Sequence, residues 1–324
     1  MSTFDGIVRE FPQIRIDHFA PNGESPPLAC FLSHVHSDHL RGLESFKSPF
    51  IYCSAATREL LLRLEKYPHR MNFAKGILEA RKQTYRKLNK LLRPVPLETP
   101  TKIELSPGNV IQVTLFDANH CTGAVMFLIE GQGKAILYTG DIRSEPYWIS
   151  MLCRNPYLVA YAEGIKQLDN IYLDTTFATS KMSDRDFPSK KDGISELISK
   201  VSKYSAKTIF YFNAWTFGYE EVWQALSKHL DSQVHLDPYR YKLYRSISES
   251  TGCEGKESAP LNGFRLGNAD YPGCLTNSEH GVRIHSCERG NQCQVFQDSK
   301  SSYHHHRHMT AVPVDISHTD HCHL

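Results

Sequence analysis

Along the first half of the chain, hydrophobic positions fall in short runs, most with a period of two. Ile14-Arg15-Ile16-Asp17 alternates and ends in an acid, whereas Leu28-Ala29-Cys30-Phe31-Leu32 is continuously apolar, as in a strand buried on both faces. Phe50-Ile51-Tyr52-Cys53 predicts another short strand. Ser54 can cap the helix that follows over residues 55–66, whose apolar face includes Leu60, Leu61 and Leu64. Residues 110–116 alternate again, and residues 125–129 and 135–138 pair as a hairpin through Gly131-Gln132-Gly133. Beyond Ser180 the pattern changes. An amphipathic helix over 194–204, a buried strand over 208–212, a helix over 217–230 and a strand over 233–236 predict a small parallel α/β unit. Residues 248–277, rich in Gly, Ser and Glu, read as loop, and the chain after Gly290 is polar and His-rich.

The predicted strands end on unusual residues. The run through Leu32 leads into Ser33-His34-Val35-His36-Ser37-Asp38-His39. In extended backbone alternate side chains share a face, so His34 and His36 point one way, while Asp38 and His39 fall in the following turn. Neutral imidazole and carboxylate are the ligands of zinc and similar divalent ions, and two such groups side by side suggest two metals. The strand over 110–116 delivers Asp117-Ala118-Asn119-His120, where a third imidazole can complete the first site. Gly123 just beyond permits close backbone approach. The strand over 135–138 ends in Thr139-Gly140-Asp141, and a carboxylate has two oxygens, so Asp141 can bridge both ions. Asp17 is open to two readings, a turn-capping residue or an outer partner that orients ligating histidines.

Composition narrows the classes without choosing among them. The chain has 324 residues, 40% of them hydrophobic and 22% charged, which is ordinary for a globular protein. A formal charge of +2 does not by itself argue for nucleic acid. No apolar run is long enough to span a membrane and no signal-peptide pattern opens the chain, so a cytosolic or nuclear protein is expected. Nine irregularly spaced cysteines read as mostly reduced thiols, with Cys30 and Cys53 in apolar runs. Charge is concentrated locally: residues 63–93 carry ten Lys and Arg, among them Arg81, Lys82, Arg86 and Lys87, with Tyr67, Phe73 and Tyr85 interleaved. That pattern fits a phosphate-backbone surface with stacking platforms, and equally a solvated helix face.

His-x-His-x-Asp-His resembles the signature of the metallo-β-lactamase fold. Asp117-Ala118-Asn119-His120-Cys121, Leu137-Tyr138-Thr139-Gly140-Asp141 and Leu173-Asp174-Thr175-Thr176-Phe177 narrow the resemblance to the β-CASP nucleases, most closely the Artemis-like DNA-repair nucleases. Glu98-Thr99-Pro100-Thr101 adds to it, and Val282-Arg283-Ile284-His285-Ser286-Cys287 resembles an Ile-His-Ala-Cys segment of that family. The likeness is good from about Met1 to Phe177, patchy to about Cys287 and absent beyond. It implies an α/β fold of αββα type over residues 1–177, a β-CASP α/β cap over 178–290 and a divergent, disordered tail over 291–324.

The resemblance also implies a chemistry. Two Zn²⁺, or Zn²⁺ with Mg²⁺ or Mn²⁺, would sit on His34, His36 and His120 and on Asp38 and His39, bridged by Asp141. Asp17 and Asp174 would orient them, and His285 would contact phosphate or protonate the leaving oxygen. The activity implied is hydrolysis of DNA as a 5′–3′ exonuclease or structure-specific endonuclease. It would act on damaged, single-stranded or hairpin ends, in the nucleus, in double-strand-break and cross-link repair, with DNA-repair proteins as partners. The family's late histidine, in a Ser-x-His-Ser-Ser-type motif, is not found, and Ser317-His318-Thr319-Asp320 is only an echo of it. A C-terminally incomplete fold with weak nuclease activity is therefore expected. Three alternatives stay open: a thioester or lactam hydrolase on the same core, an RNA-processing β-CASP enzyme, and a non-catalytic nucleic-acid-binding form.

Overall fold

The computed structural model describes residues 5–21, 25–66, 83–178, 187–212, 214, 217–249, 258–287 and 311–314. The chain divides into two compact units, Met1–Thr176 and Phe177–Leu324, and its fold is a mixed α/β one compatible with a metallo-β-lactamase-like α+β architecture.

The first unit is built on two sheets. Strands β1 (Ile14–Ile16), β2 (Ala29–Phe31) and β3 (Ile51–Cys53) run parallel. A two-residue pair, β4 (Glu65–Lys66) with β5 (Gln83–Thr84), precedes β6 (Leu92–Pro94), which extends the first sheet to the order β1-β2-β3-β6. The second sheet holds β7 (Thr101–Ser106), β8 (Asn109–Asp117), β9 (Val125–Gly131), β10 (Lys134–Tyr138) and β11 (Asn170–Tyr172), in the order β11-β10-β9-β8-β7. The inward rows of the two sheets share one core: Ile14, Ile16 and Phe31 from the first, Ile111, Val113, Leu115, Phe127, Ile129 and Ile136 from the second. Period-two alternation produces these rows, and each buried side chain of this size contributes about 1.5–3 kcal/mol.

Local signals account for the connections. Gln132 and Gly133 both adopt positive φ, at 53° and 74°, which gives the tight turn that joins β9 to β10. Ser54 caps helix α1 (Ala55–Arg63) by accepting from Thr57 N at 3.1 Å. The helix stops short of the expected residue 66 because Glu65 and Lys66 pair with Thr84 and Gln83 instead. Helices α2 (Pro146–Cys153) and α3 (Val159–Ala162) fill the connection between β10 and β11.

In the second unit, β12 (Ile209–Phe212), β13 (Val234–His235), β16 (Leu275–Thr276), β17 (Ile284–His285) and β18 (Ala311–Val314) form a parallel sheet in the order β16-β13-β17-β12-β18. Its helices are α4 (Lys190–Val201), opened by a Ser189–Asp192 capping box, α5 (Glu220–Leu230), α6 (Pro238–Glu249) and α7 (Ala259–Asn262). One expectation is corrected here. Residues 248–277 are not all loop: α7, the hairpin of β14 (Gly263–Leu266) and β15 (Ala269–Pro272), and β16 lie within them. Residues 311–314, Ala-Val-Pro-Val, pair with β12 as the edge strand β18, a position where a proline is tolerated.

Candidate metal centre

The ligand-type residues of the first unit leave the same end of both sheets. Asp17 follows β1, Ser33 to His39 follow β2, His120 follows β8, Asp141 follows β10 and Asp174 follows β11. Carboxyl ends of parallel strands are where α/β sheets present ligand sites, since loops there can converge without crossing the core. Two backbone devices make the convergence possible. The Gly123 carbonyl accepts from Ser54 Oγ at 2.7 Å and Thr57 Oγ1 at 2.8 Å, which ties the His120 loop to the start of α1. A side chain at Gly123 would meet Thr57 N at 2.9 Å. Gly140, at φ 55°, passes so near Ser33 that a Cβ there would lie 2.9 Å from the serine Cβ.

Among the described residues, three groups emerge in which one ligand atom per residue lies within 4.8 Å of the others: His34, His36, His120 and Asp141; Asp38, His39 and Asp141; and His235, His285 and Cys287. In the first, His36 Nδ1 is 3.0 Å from His34 Nε2 and 3.1 Å from His120 Nε2, and Asp141 Oδ2 is 3.7 Å from both of those Nε2 atoms. In the second, His39 Nε2 lies 3.2 Å from Asp141 Oδ1 and 3.6 Å from Asp38 Oδ2. The two groups share Asp141 through different oxygens. The expected His34, His36, Asp38, His39, His120 and Asp141 are thus brought together.

Beneath them sits Asp17, 5% exposed and at φ 55°, a left-handed conformation few aspartates adopt. Its Oδ1 accepts from Ser33 N at 2.7 Å. Its Oδ2 accepts from Ser33 Oγ at 2.6 Å, His39 Nδ1 at 2.9 Å and Tyr138 OH at 3.1 Å. Asp174 Oδ1 accepts from Thr176 N at 2.9 Å, and its Oδ2 from Ile142 N at 3.4 Å, the residue after Asp141. It therefore braces the Asp141 loop.

Electrostatics fit a cation between these groups. Burial, with His39, His36 and His120 alongside, holds His34 well below the ordinary histidine range, and burial with His36 pushes His120 down to about 4. Both stay neutral, the form that binds metal. Burial also disfavours charge on His39, but Asp17 and Asp141 outweigh it and push the imidazole up to about 10. Burial would raise Asp141 as well, yet His39 holds its carboxyl well below the usual carboxylate range. Without a metal, the carboxylates draw a proton to His39 to supply positive charge. His39 Nε2 is buried and lies 3.2 Å from Asp141 Oδ1 and 3.6 Å from Asp38 Oδ2, without the alignment of a good hydrogen bond to either. A buried imidazole nitrogen aimed between two carboxylates is a ligand position, and the donor set is the oxygen-and-nitrogen one of zinc or a harder divalent ion.

His285 belongs to the second unit, on β17. It is fully buried in the second unit, paired in register with His235 on the neighbouring strand, their Nδ1 atoms 3.1 Å apart. Cys287 Sγ lies 3.1 Å from His235 Nδ1, and Arg240 holds the exit of β17 by donating to Ser286 O at 2.8 Å. This trio, two imidazoles and a thiol, could hold a metal ion of its own. Sequence reasoning passed over His235. The signal available was a histidine in a buried strand with a His-x-Cys alternation 50 residues on. It also passed over Ser33 and Tyr138, hydroxyls next to ligand positions. Arg86 and Lys87 lie exposed on a short 3₁₀ turn, Arg86–Lys90, anchored by the buried Leu88, and Lys87 bonds the Glu44 carbonyl. Arg81, Lys82 and His318 are outside the described residues.

A strand-end cluster of groups that could hold metal, on this α+β framework, fits a metallo-β-lactamase-like protein. The profile of one protein family, described as Anti-Pycsar protein Apyc1, matches residues 28–161. Protein artemis of Rattus norvegicus is 32% identical over 73% of this chain and 33% of its own length. The 5′ exonuclease Apollo of the same species is 32% identical over 75% of this chain and 39% of its own. The chain belongs to the Artemis-like β-CASP DNA-repair nuclease family, and it spans about a third of the length of the curated relatives it matches. A solved structure titled a protein of unknown function from Enterococcus faecalis V583 aligns with 91% of this chain and 71% of its own at 16% identity and a TM-score of 0.46, too distant to argue from.

Proposed function

We propose that this chain is a metal-dependent hydrolase of phosphodiester bonds in DNA, working at DNA ends as a 5′–3′ exonuclease or structure-specific endonuclease. The observation that carries the reading is the pair of ligand groups sharing Asp141, with the buried His39 Nε2 directed between carboxylates. His34, His36, His120 and Asp141 would hold one Zn²⁺, and Asp38, His39 and Asp141 a second Zn²⁺, Mg²⁺ or Mn²⁺. Two such ions supply a hydroxide nucleophile at neutral pH and offset charge that builds on the phosphate. The chain's own part is positional: Asp17 and Ser33 hold imidazoles in place and Asp174 braces the Asp141 loop. The printed names of two relatives, 5′ exonuclease Apollo and DNA ligase 6, support an exonuclease activity and DNA as substrate; end processing in double-strand-break and cross-link repair, in the nucleus and alongside repair proteins, is part of the proposal. No helix among the described residues is long and apolar enough to cross a membrane.

The test is a cleavage assay on 5′-labelled single-stranded and hairpin DNA, on matched RNA and on a thioester, before and after chelation and with metal restored. DNA cleavage that disappears with the chelator and returns with Zn²⁺ or Mn²⁺ is expected. Turnover of the thioester or RNA alone would overturn the assignment.

A further inference from the structure

Proton bookkeeping around Ser33 leads beyond the ligands themselves, and rests on the metal reading above. Ser33 is 1% exposed and its hydroxyl has one hydrogen. Its Oγ lies 2.6 Å from Asp17 Oδ2 and 2.9 Å from His34 Nδ1. An ionised carboxylate only accepts, so the serine hydrogen goes to Asp17 and the oxygen lone pair faces His34. Nδ1 of His34 must then carry the ring hydrogen and donate it to Ser33, which leaves Nε2 bare. That Nε2 is the atom that faces His36 and Asp141. On the other side, Asp17 Oδ2 takes the Nδ1–H of His39 directly, at 2.9 Å, and aims that residue's Nε2 at Asp141. One carboxylate thus sets a ligand in each group, directly at His39 and through a hydroxyl at His34.

We propose that Ser33 is a positioning residue that relays Asp17 to His34, fixing the imidazole tautomer of the first metal site and coupling the two sites through a single buried carboxylate. Several features support a built relay. Ser33 is held at both ends, its N–H on Asp17 Oδ1 and its carbonyl accepting from Val125 N at 3.1 Å. Gly140 leaves no room for a side chain against it. Tyr138 OH, 3.1 Å from the same Asp17 oxygen, steadies the carboxylate without touching either imidazole through it.

The relay predicts an asymmetry between variants. Ser33→Ala removes the link to His34 and leaves the link to His39. Tyr138→Phe removes a donor to Asp17 and neither link. Zinc titration of the full chain against a chromophoric chelator resolves the binding steps, and ¹⁵N-histidine NMR of the wild type reads the tautomer without any variant. Ser33→Ala is expected to weaken one step by about 10–100-fold, the range for loss of an outer partner, and to spare the other. Ser33→Thr, which keeps the hydroxyl, restores that step, and Tyr138→Phe weakens the two steps alike. The His34 ring should show its hydrogen on Nδ1. A Ser33→Ala chain that melts as wild type and keeps both affinities, or loses both equally, overturns the relay, as does a His34 hydrogen on Nε2. Wild type that binds no zinc at the first unit overturns the metal reading instead, so the two failures are distinct.

Discussion

The two histidine clusters among the described residues are built from similar residues and differ in nearly everything that decides their chemistry. The first hangs on loops at strand ends. Asp38 is exposed, His36, His120 and Asp141 are half-buried, and three carboxylates with Asp17 surround four imidazoles. The second lies within a sheet: His235, His285 and Cys287 are all buried, with a thiol in place of carboxylates. The mixed oxygen and nitrogen donors of the first suit ions that polarise phosphate. A closed nitrogen-and-sulfur set suits an ion whose role is to hold strands together. Ligand type alone does not separate the two roles; burial and the presence of carboxylates do.

The sharpest way to break this contrast is to remove the shared ligand. Asp141→Asn should lower metal-dependent DNA cleavage by more than the roughly 100-fold that loss of an outer partner costs, while leaving urea stability within about 1 kcal/mol. Retained activity would mean that the groups do not share an ion bridge. The second cluster should answer in the opposite way. His285→Ala should cost about 1–3 kcal/mol of stability in urea titration, because His235 loses a buried partner. If cleavage fell with no loss of stability, the catalytic role implied by resemblance would stand and the structural contrast would fail.

Smaller effects refine the picture. If Arg86 and Lys87 meet phosphates, Arg86→Glu with Lys87→Glu should flatten the dependence of log Kd on log salt by about 0.7–0.9 per lost contact. An unchanged slope in filter-binding titrations returns the turn to a solvated surface. The mildest test uses thiols. Burial pushes Cys30, Cys53 and Cys274 up to about 12, whereas Cys153 is exposed. Among the described cysteines Cys153 should react first with a maleimide by peptide mass mapping, and Cys287 only on unfolding. Early labelling of Cys287 would show that its cluster opens in the native state.

These two regions also differ in how readily the sequence discloses them. Three histidines and an aspartate within six positions after an apolar run declare a site, and the alternation in residues 110–116 and 135–138 places His120 and Asp141 at strand ends beside it. The layer below was legible only in part. An orienting role for Asp17 was open from sequence, but its meeting with Ser33 and Tyr138 was not, because β1, β2 and β10 come from two sheets closed over one core and single residues carry no trace of that closure. His235 and His285 are 50 residues apart and meet through the register of β13 with β17, which depends on tertiary packing. The hairpin of β14 and β15 was hidden for a local reason: its glycines and charges read as loop, while Phe264 stacks on Tyr271 at 4.9 Å across the pair.

One measurement bears most directly on the two-ion reading of the first cluster. Crystals of the zinc-loaded chain, recorded on either side of the zinc absorption edge, locate each ion without reference to activity. Two anomalous peaks about 3.5–4 Å apart, one against His34, His36 and His120 and the other against Asp38 and His39, with Asp141 between them, are predicted. A single peak, or none at these residues in fully loaded protein, would contradict the account.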